Sequence, residues 1–210
     1  MKNIRISIAT FTLLVTIALV SAFTCTQPPG PVTVSVPEEA KTQTVNLFVT
    51  HGHCSTPFSG TVRNLQVNLP VRSDGGNPLE QMEMSFAIDP NSFRACAGDE
   101  FTASVRTPGL FCGANNQMLT FRSTAVYTMG MDWYQINGVL SIKGVEKNVK
   151  FFASGIRKPD DQMPGILVLE GQLNLYDWGI DYDQIVNGES GRSLVNPTQW
   201  MHLNMKIDMC

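Results

Sequence analysis

A chain of 210 residues, 43% of them hydrophobic and 16% charged, is long enough for one domain with a sizeable apolar core. Its formal net charge is −3, and no cluster of Lys and Arg could neutralise a phosphate backbone, which excludes nucleic acid as a partner class. The five cysteines form no C-x-x-C pair, so neither a zinc knuckle nor a thioredoxin-type motif is written here.

The chain opens MKNIR, continues as an apolar run from Ile6 to Val20, and reaches the small residues Ser21 and Ala22. A charged start, a short apolar core and a small-residue end mark residues 1–22 as a secretory signal peptide. The run falls short of the roughly 20 apolar residues that a membrane-spanning helix needs. Residues 23–43 read as a Pro-rich linker. Cys25 near its start is a candidate for lipidation, although Ala22, Phe23 and Thr24 match a lipoprotein box poorly. Export permits disulfides. The odd cysteine count leaves at least one thiol lipidated, free or paired with another chain.

From there the chain alternates. Thr44 to His51 puts Val45, Leu47, Val49 and His51 on one face. Phe58 to Leu69 is a second strand, and its alternation shifts near Asn64, the sign of a bulge. Pro70 and SDGGNP make a turn. Met82, Met84, Phe86 and Ile88 fall two apart, and Asp89, Pro90 and Asn91 end that strand. Residues 89–117 lose the alternation, with Glu100 to Arg106 reading as one short helix stopped by Pro108 and Gly109. Met118 to Tyr127 resumes, with Leu119, Phe121, Ala125 and Tyr127 on one face. The stretch from Ile136 to Ala153 is two alternating runs about a Gly-containing link, a β-hairpin with one buried face. Ile166 to Tyr176 alternates cleanly, and residues 177–198 read as a long loop. Trp200 to Met209 closes the chain with Met201, Leu203, Met205 and Ile207 against His202, Asn204 and Lys206.

Eight antiparallel strands in succession close naturally into an up-and-down barrel, which removes both exposed edges. The same pattern suits a two-sheet sandwich with a filled core equally well. If strands alternate in direction and the first runs upward, the connections 52–57, 89–117, 143–146 and 177–198 share the upper end. Those at 70–81, 128–132 and 156–165 share the lower end. The two longest connections place a mouth at the upper end, with 89–117 as its lid. Cys54, Cys96 and Cys112 fall there, and one disulfide is predicted at the mouth, Cys96–Cys112 ahead of Cys54–Cys112. A Cys25–Cys210 bond at the lower end requires that Cys25 is not acylated.

His51 and His53 sit two apart on one strand face, a spacing that suits zinc. The third ligand would be His202, which shares its face with Asn204 and Lys206 and points outward. Metal binding through His51 and His53 therefore stands as an alternative reading. No nucleophile triad, paired acid motif or phosphate loop is present, so neither catalysis nor a cofactor is expected.

Three stretches carry a family resemblance: LTFRSTAVY at 119–127, GVLSIKGVEKNVKF at 138–151 and GQLNLYDWGI at 171–180. The chain resembles the YceI-like family, whose pattern is an F-x-S-T strand, a G-x-L-x-I-x-G-V hairpin and a strand ending in an aromatic-Gly pair. Phe121, Ser123 and Thr124, then Gly138, Leu140, Ile142, Gly144 and Val145, then Trp178 and Gly179 meet that pattern in order. Phe48 to Gly60 is similar to the family's first strand and turn, and Arg106 to Phe111 to its helical insert. The resemblance implies an all-β, eight-stranded antiparallel lipocalin-like β-barrel over residues 44–210, with one short helix in the 89–117 loop. It implies export from a bacterial cell, to the periplasm or beyond, with a lipid anchor if Cys25 is acylated. It also implies an interior that holds a long-chain amphiphile, such as a polyisoprenoid, in a carrier or sequestering role. Residues expected to line that interior are Val49, Met84, Phe86, Phe121, Phe151, Leu173, Met201 and Met205, with Phe111 from the lid. At the polar head, His51 or His53 is expected, with Trp178 or Tyr182 from the upper loop. Membrane contact is expected only through an acylated Cys25, and homodimerisation is open. A structural or stress-response role in the envelope, without ligand, is the alternative.

Overall fold

The computed structural model describes residues 43–51, 54–68, 82–106, 110–112, 117–161, 164–188 and 198–209. The expected signal peptide, most of the linker with Cys25, and His53 and Cys210 lie outside these residues, as do the side chains of His51 and Cys54. The strands are β1 (Gln43–His51), β2 (Cys54–Asn68), β3 (Glu83–Ala95), β4 (Leu119–Gly130), β5 (Trp133–Ile142), β6 (Val145–Ile156), β7 (Ile166–Asn174) and β8 (Trp200–Asp208). Each pairs antiparallel with the next. β8 returns onto β1, with Thr44 opposite Lys206 and Thr50 opposite Trp200, so the sheet closes as a barrel and not as a sandwich.

Alternation in sequence becomes inside and outside in space. On β8, Met201, Leu203, Met205 and Ile207 are buried while His202, Asn204 and Lys206 turn outward. The central hairpin turns on Lys143 and Gly144, both with positive φ (55° and 78°), a two-residue turn tighter than the link expected. The bulge near Asn64 is present: Asn64 takes φ 48° and the register shifts between Arg63 and Gln66.

Three expectations are corrected. Ala125 and Tyr127 do not face inward; a register shift between Ser123 and Ala125 flips the phase of β4, and Val126 and Thr128 take the inside. β3 does not end at Asp89, Pro90 and Asn91 but runs on to Ala95. Pro90 has no N–H to give, and the irregularity is patched by Ser92. Its hydroxyl accepts from the Thr61 N–H at 2.7 Å and donates to the Asp89 carbonyl at 2.6 Å. The stretch 177–198 is not all loop. It follows a 3₁₀ turn at Leu175–Trp178 and holds the helix α2 (Tyr182–Asn187), capped by the Asp181 carboxylate on the Gln184 N–H at 3.2 Å. The short helix expected in 89–117 is α1 (Asp99–Arg106).

Three glycines admit phenyl rings on the inside of the wall. A Cβ on Gly60 would sit 2.6 Å from the Phe93 ring, on Gly138 2.5 Å from the Phe121 ring, and on Gly171 2.1 Å from the Phe151 ring. Each ring therefore occupies space over the backbone that only glycine leaves empty.

Candidate ligand-binding site

The strand register brings the expected lining residues together as rows and ring clusters. Val49 and Leu173 both pair with Met201, making one row across β1, β8 and β7. Val45 and Leu169 both pair with Met205 four residues lower. Phe86, Phe121 and Phe151 form a triad, with Phe86 and Phe121 stacked at 5.1 Å and Phe121 edge-on to Phe151 at 4.9 Å. Met84 is buried near its lower side, its N–H donating to the Ser123 hydroxyl at 2.9 Å. Phe111 stands apart from these. It belongs to an upper triad with Phe58 and Phe93, at 5.6 and 5.3 Å. The register places the His51 backbone at the top of β1, opposite Cys54.

These interior groups fill their own space. Val49, Phe151, Met201 and Met205 have 0% of their surface exposed, so no void wide enough for a water molecule touches them. The apolar interior is present, but in this form it is closed by its own rings and methionines.

The closure is thinnest on one side. β3 pairs with β4 only from Ser85 to Ile88, opposite Leu119 to Arg122. Above that, α1 takes over from β4. The Thr102 hydroxyl accepts from the Ala95 N–H at 3.0 Å, and the Arg106 Nε donates to the Phe93 carbonyl at 2.8 Å. Sequence reading missed both latch residues, because a helical Thr and Arg carry no signal of a sheet edge that lacks a neighbour.

α1 and α2 meet over the upper end, where the Phe101 and Tyr182 rings lie 6.2 Å apart. Gln199, buried and unremarked in the sequence, ties this cap to β7. Its Oε1 accepts from the Tyr182 N–H at 2.7 Å, its Nε2 donates to Asp183 at 3.0 Å, and its N–H donates to Asn174 at 3.0 Å. Trp178, on the 3₁₀ turn, is 5% exposed, and its indole Nε1 donor finds no acceptor among the described residues.

Burial pushes the Tyr182 phenol from an ordinary 10 up to about 12; the nearby Asp183 charge adds to this, while a hydrogen bond with Thr56 works the other way. The sign follows from linkage. The unfolded phenol ionises near 10 and the folded one holds its proton longer, so this contribution to stability is whole below pH 10 and is lost as pH rises towards 12. Urea midpoints measured from pH 9 to 12 should fall less steeply for Tyr182→Phe than for the parent chain.

The predicted mouth disulfide is absent. Cys96 is an exposed free thiol and Cys112 a buried one. Cys112 lies in the core at 1% exposure while Cys96 faces water, so the two thiols sit in different surroundings. Burial, and then the charge of Asp89, raise the Cys112 pKa and keep that thiol protonated. His202 turns outward on β8 beside Phe48, in the phase expected.

A closed eight-stranded antiparallel barrel with an apolar inside and a helical cap defines the lipocalin-like architecture. The YceI-like domain model matches residues 38–207, and the chain belongs to that family. Among solved structures, the chain is similar to BcnA of Burkholderia cenocepacia, at 16% identity and a TM-score of 0.54, covering 79% of this chain and 96% of that one. It is also similar to a polyisoprenoid binding domain from Saccharophagus degradans implicated in plant cell wall breakdown, at 13% identity and a TM-score of 0.47, covering 79% and 93%. A YceI protein of Campylobacter jejuni matches at 16% identity and 0.44, covering 70% and 86%. Curated protein sequences give no significant match.

Proposed function

We propose that this protein is an exported, non-catalytic binder of a long-chain amphiphile, which it carries or sequesters with the chain inside the barrel and the polar head under the cap. Family membership supports the class of ligand, since YceI-like domains are associated with polyisoprenoids and similar lipids. The observation that carries the reading is the Trp178 indole N–H. It is buried and finds no acceptor among the described residues. Leaving such a donor unpaired costs about 1–3 kcal/mol, and native interiors rarely tolerate it. A ligand head with an oxygen acceptor would satisfy it.

The filled interior sets the terms of binding. Ligand must displace Phe86, Phe121 and Phe151 or slide between them and the methionines. Met84, Met201 and Met205 are unbranched and polarizable and repack without strained rotamers. The short β3–β4 pairing and the two-bond latch of α1 make that side the least costly to part.

The test compares geranylgeraniol with the matched hydrocarbon by competition against a fluorescent lipid. The parent chain should favour the alcohol by roughly tenfold, about 1.4 kcal/mol. Trp178→Phe should erase that preference, leave the hydrocarbon affinity in place and keep thermal stability. If neither compound binds the parent chain, the ligand-free envelope role replaces this reading.

A further inference from the structure

The end of the barrel opposite the cap carries a feature that a lipid-filled interior does not use. Among the described residues, seven large apolar side chains stand exposed, and four of them gather at the lower end: Met129 (45%), Met131 (74%), Trp133 (49%) and Ile156 (54%). Met131 occupies the tip of the β4–β5 turn, a position that polar residues ordinarily fill. Trp133 pairs with Ser154, which places Ile156 diagonally beside it on the outer face.

This patch is braced. Arg157 forms a two-pronged ion pair with Asp132, whose side chain is only 10% exposed. The Gly155 N–H donates to the Asp132 carbonyl at 2.6 Å, and the Thr128 hydroxyl to the Gly130 carbonyl at 3.0 Å. The β4–β5 turn is thereby locked to the start of the β6–β7 connection, and the four apolar groups are held outward together. Contiguous exposed apolar surface, rigidly presented, marks an interaction site.

The occupant follows from where the chain joins. β1 begins at Gln43 at this same end, so the linker that carries Cys25, the candidate for lipidation, attaches here. The stretch from Thr26 to Thr42 could reach up to about 60 Å, ample for this end to lie against a surface that holds Cys25. Among the described residues no helix is long and apolar enough to cross a membrane, and the outward phase of β8 carries His202, Asn204 and Lys206, so contact is confined to the lower end. A Trp beside Met and Ile suits the boundary between headgroups and acyl chains. Lys158 is offset by Asp160 and Asp161 close by, so burial and not charge would drive the contact.

We infer that Met129, Met131, Trp133 and Ile156 form a membrane-docking face, seating the lower end of the barrel shallowly in a phospholipid surface with the cap turned away. The inference does not depend on what the interior holds.

The full chain holds three tryptophans: Trp133 in the face, Trp178 buried, and Trp200 at the upper end. The full chain is mixed with phosphatidylcholine vesicles whose acyl chains carry bromine, and tryptophan fluorescence is read. Quenching is expected in the parent chain, lost in Trp133→Phe, kept in Trp200→Phe, and insensitive to added salt. Met131→Asp, at an exposed turn tip where the fold loses nothing, should relieve most of it. Absent quenching, or quenching that survives Trp133→Phe, overturns the inference even if the N-terminal segment holds the protein on the vesicle. A concentration-dependent dimer that Met131→Asp dissolves, without quenching, assigns the face to a second copy and overturns it too.

Discussion

Gly138→Ala should destabilise the barrel by about 3 kcal/mol, lowering the melting temperature by roughly 6–12 °C in a thermal scan followed by circular dichroism. The added Cβ would sit 2.5 Å from the Arg122 carbonyl oxygen as well as 2.5 Å from the Phe121 ring. A ring can swing aside, but a sheet carbonyl cannot. Trimming the ring with Phe121→Leu should therefore leave most of the loss in place. Gly171 makes the contrasting case. Its new Cβ would meet Phe151 ring atoms at 2.1 and 2.3 Å, and those are its nearest neighbours. Gly171→Ala should cost a similar amount alone. Combined with Phe151→Leu, however, the double variant should lose less than the two single losses added together, with a coupling of about 1 kcal/mol or more. Equal behaviour at the two glycines would mean that rings over bare backbone are not what fixes the interior.

Lengthening the isoprenoid chain of a bound alcohol by ten carbons should tighten binding by roughly a hundredfold. Full burial gives about 0.8 kcal/mol per CH₂. The bore is already filled, so each ligand carbon displaces a methionine or phenyl group that must repack elsewhere. A third of the full value remains substantial, about 2.7 kcal/mol over ten carbons, which is the hundredfold quoted. Titration calorimetry across farnesol, geranylgeraniol and longer homologues reads this directly. A flat series would put the alkyl chain on the outside of the barrel and remove the interior as its site.

Period-two patterning carried most of the architecture. Where strands are regular, as on β8, inside and outside follow from position alone: Met201 and Met205 are in, His202 is out. Patterning failed where the register slips. Ala125 and Tyr127 are small or amphipathic enough to suit either face, so nothing in β4 announced the shift that put Val126 and Thr128 inside. The bulge in β2 was legible because Leu65 and Val67 follow Asn64 out of phase. α2 was overlooked although Asp181 and Gln184 carry a capping spacing, because only six residues follow the cap and their apolar content is low. For the site, the phase of each strand identified the lining groups, but not that they would fill the bore. Ring packing over Gly60, Gly138 and Gly171 depends on which glycine lies across from which phenylalanine, and that is a property of register. The latch of Thr102 and Arg106 was equally invisible, since it answers the shortness of a pairing between strands far apart in sequence.

The joint between β1 and β8 couples Val45 to Met205 and Val49 to Met201, so the fold is completed by its two extremities. Contacts between such distant parts of a chain form late and slowly. Until β8 is made, β1 and β7 both lack a neighbour, and no partial product is a closed body. A polypeptide of this design stays threadable through a narrow pore until β8 is free, and locks only then.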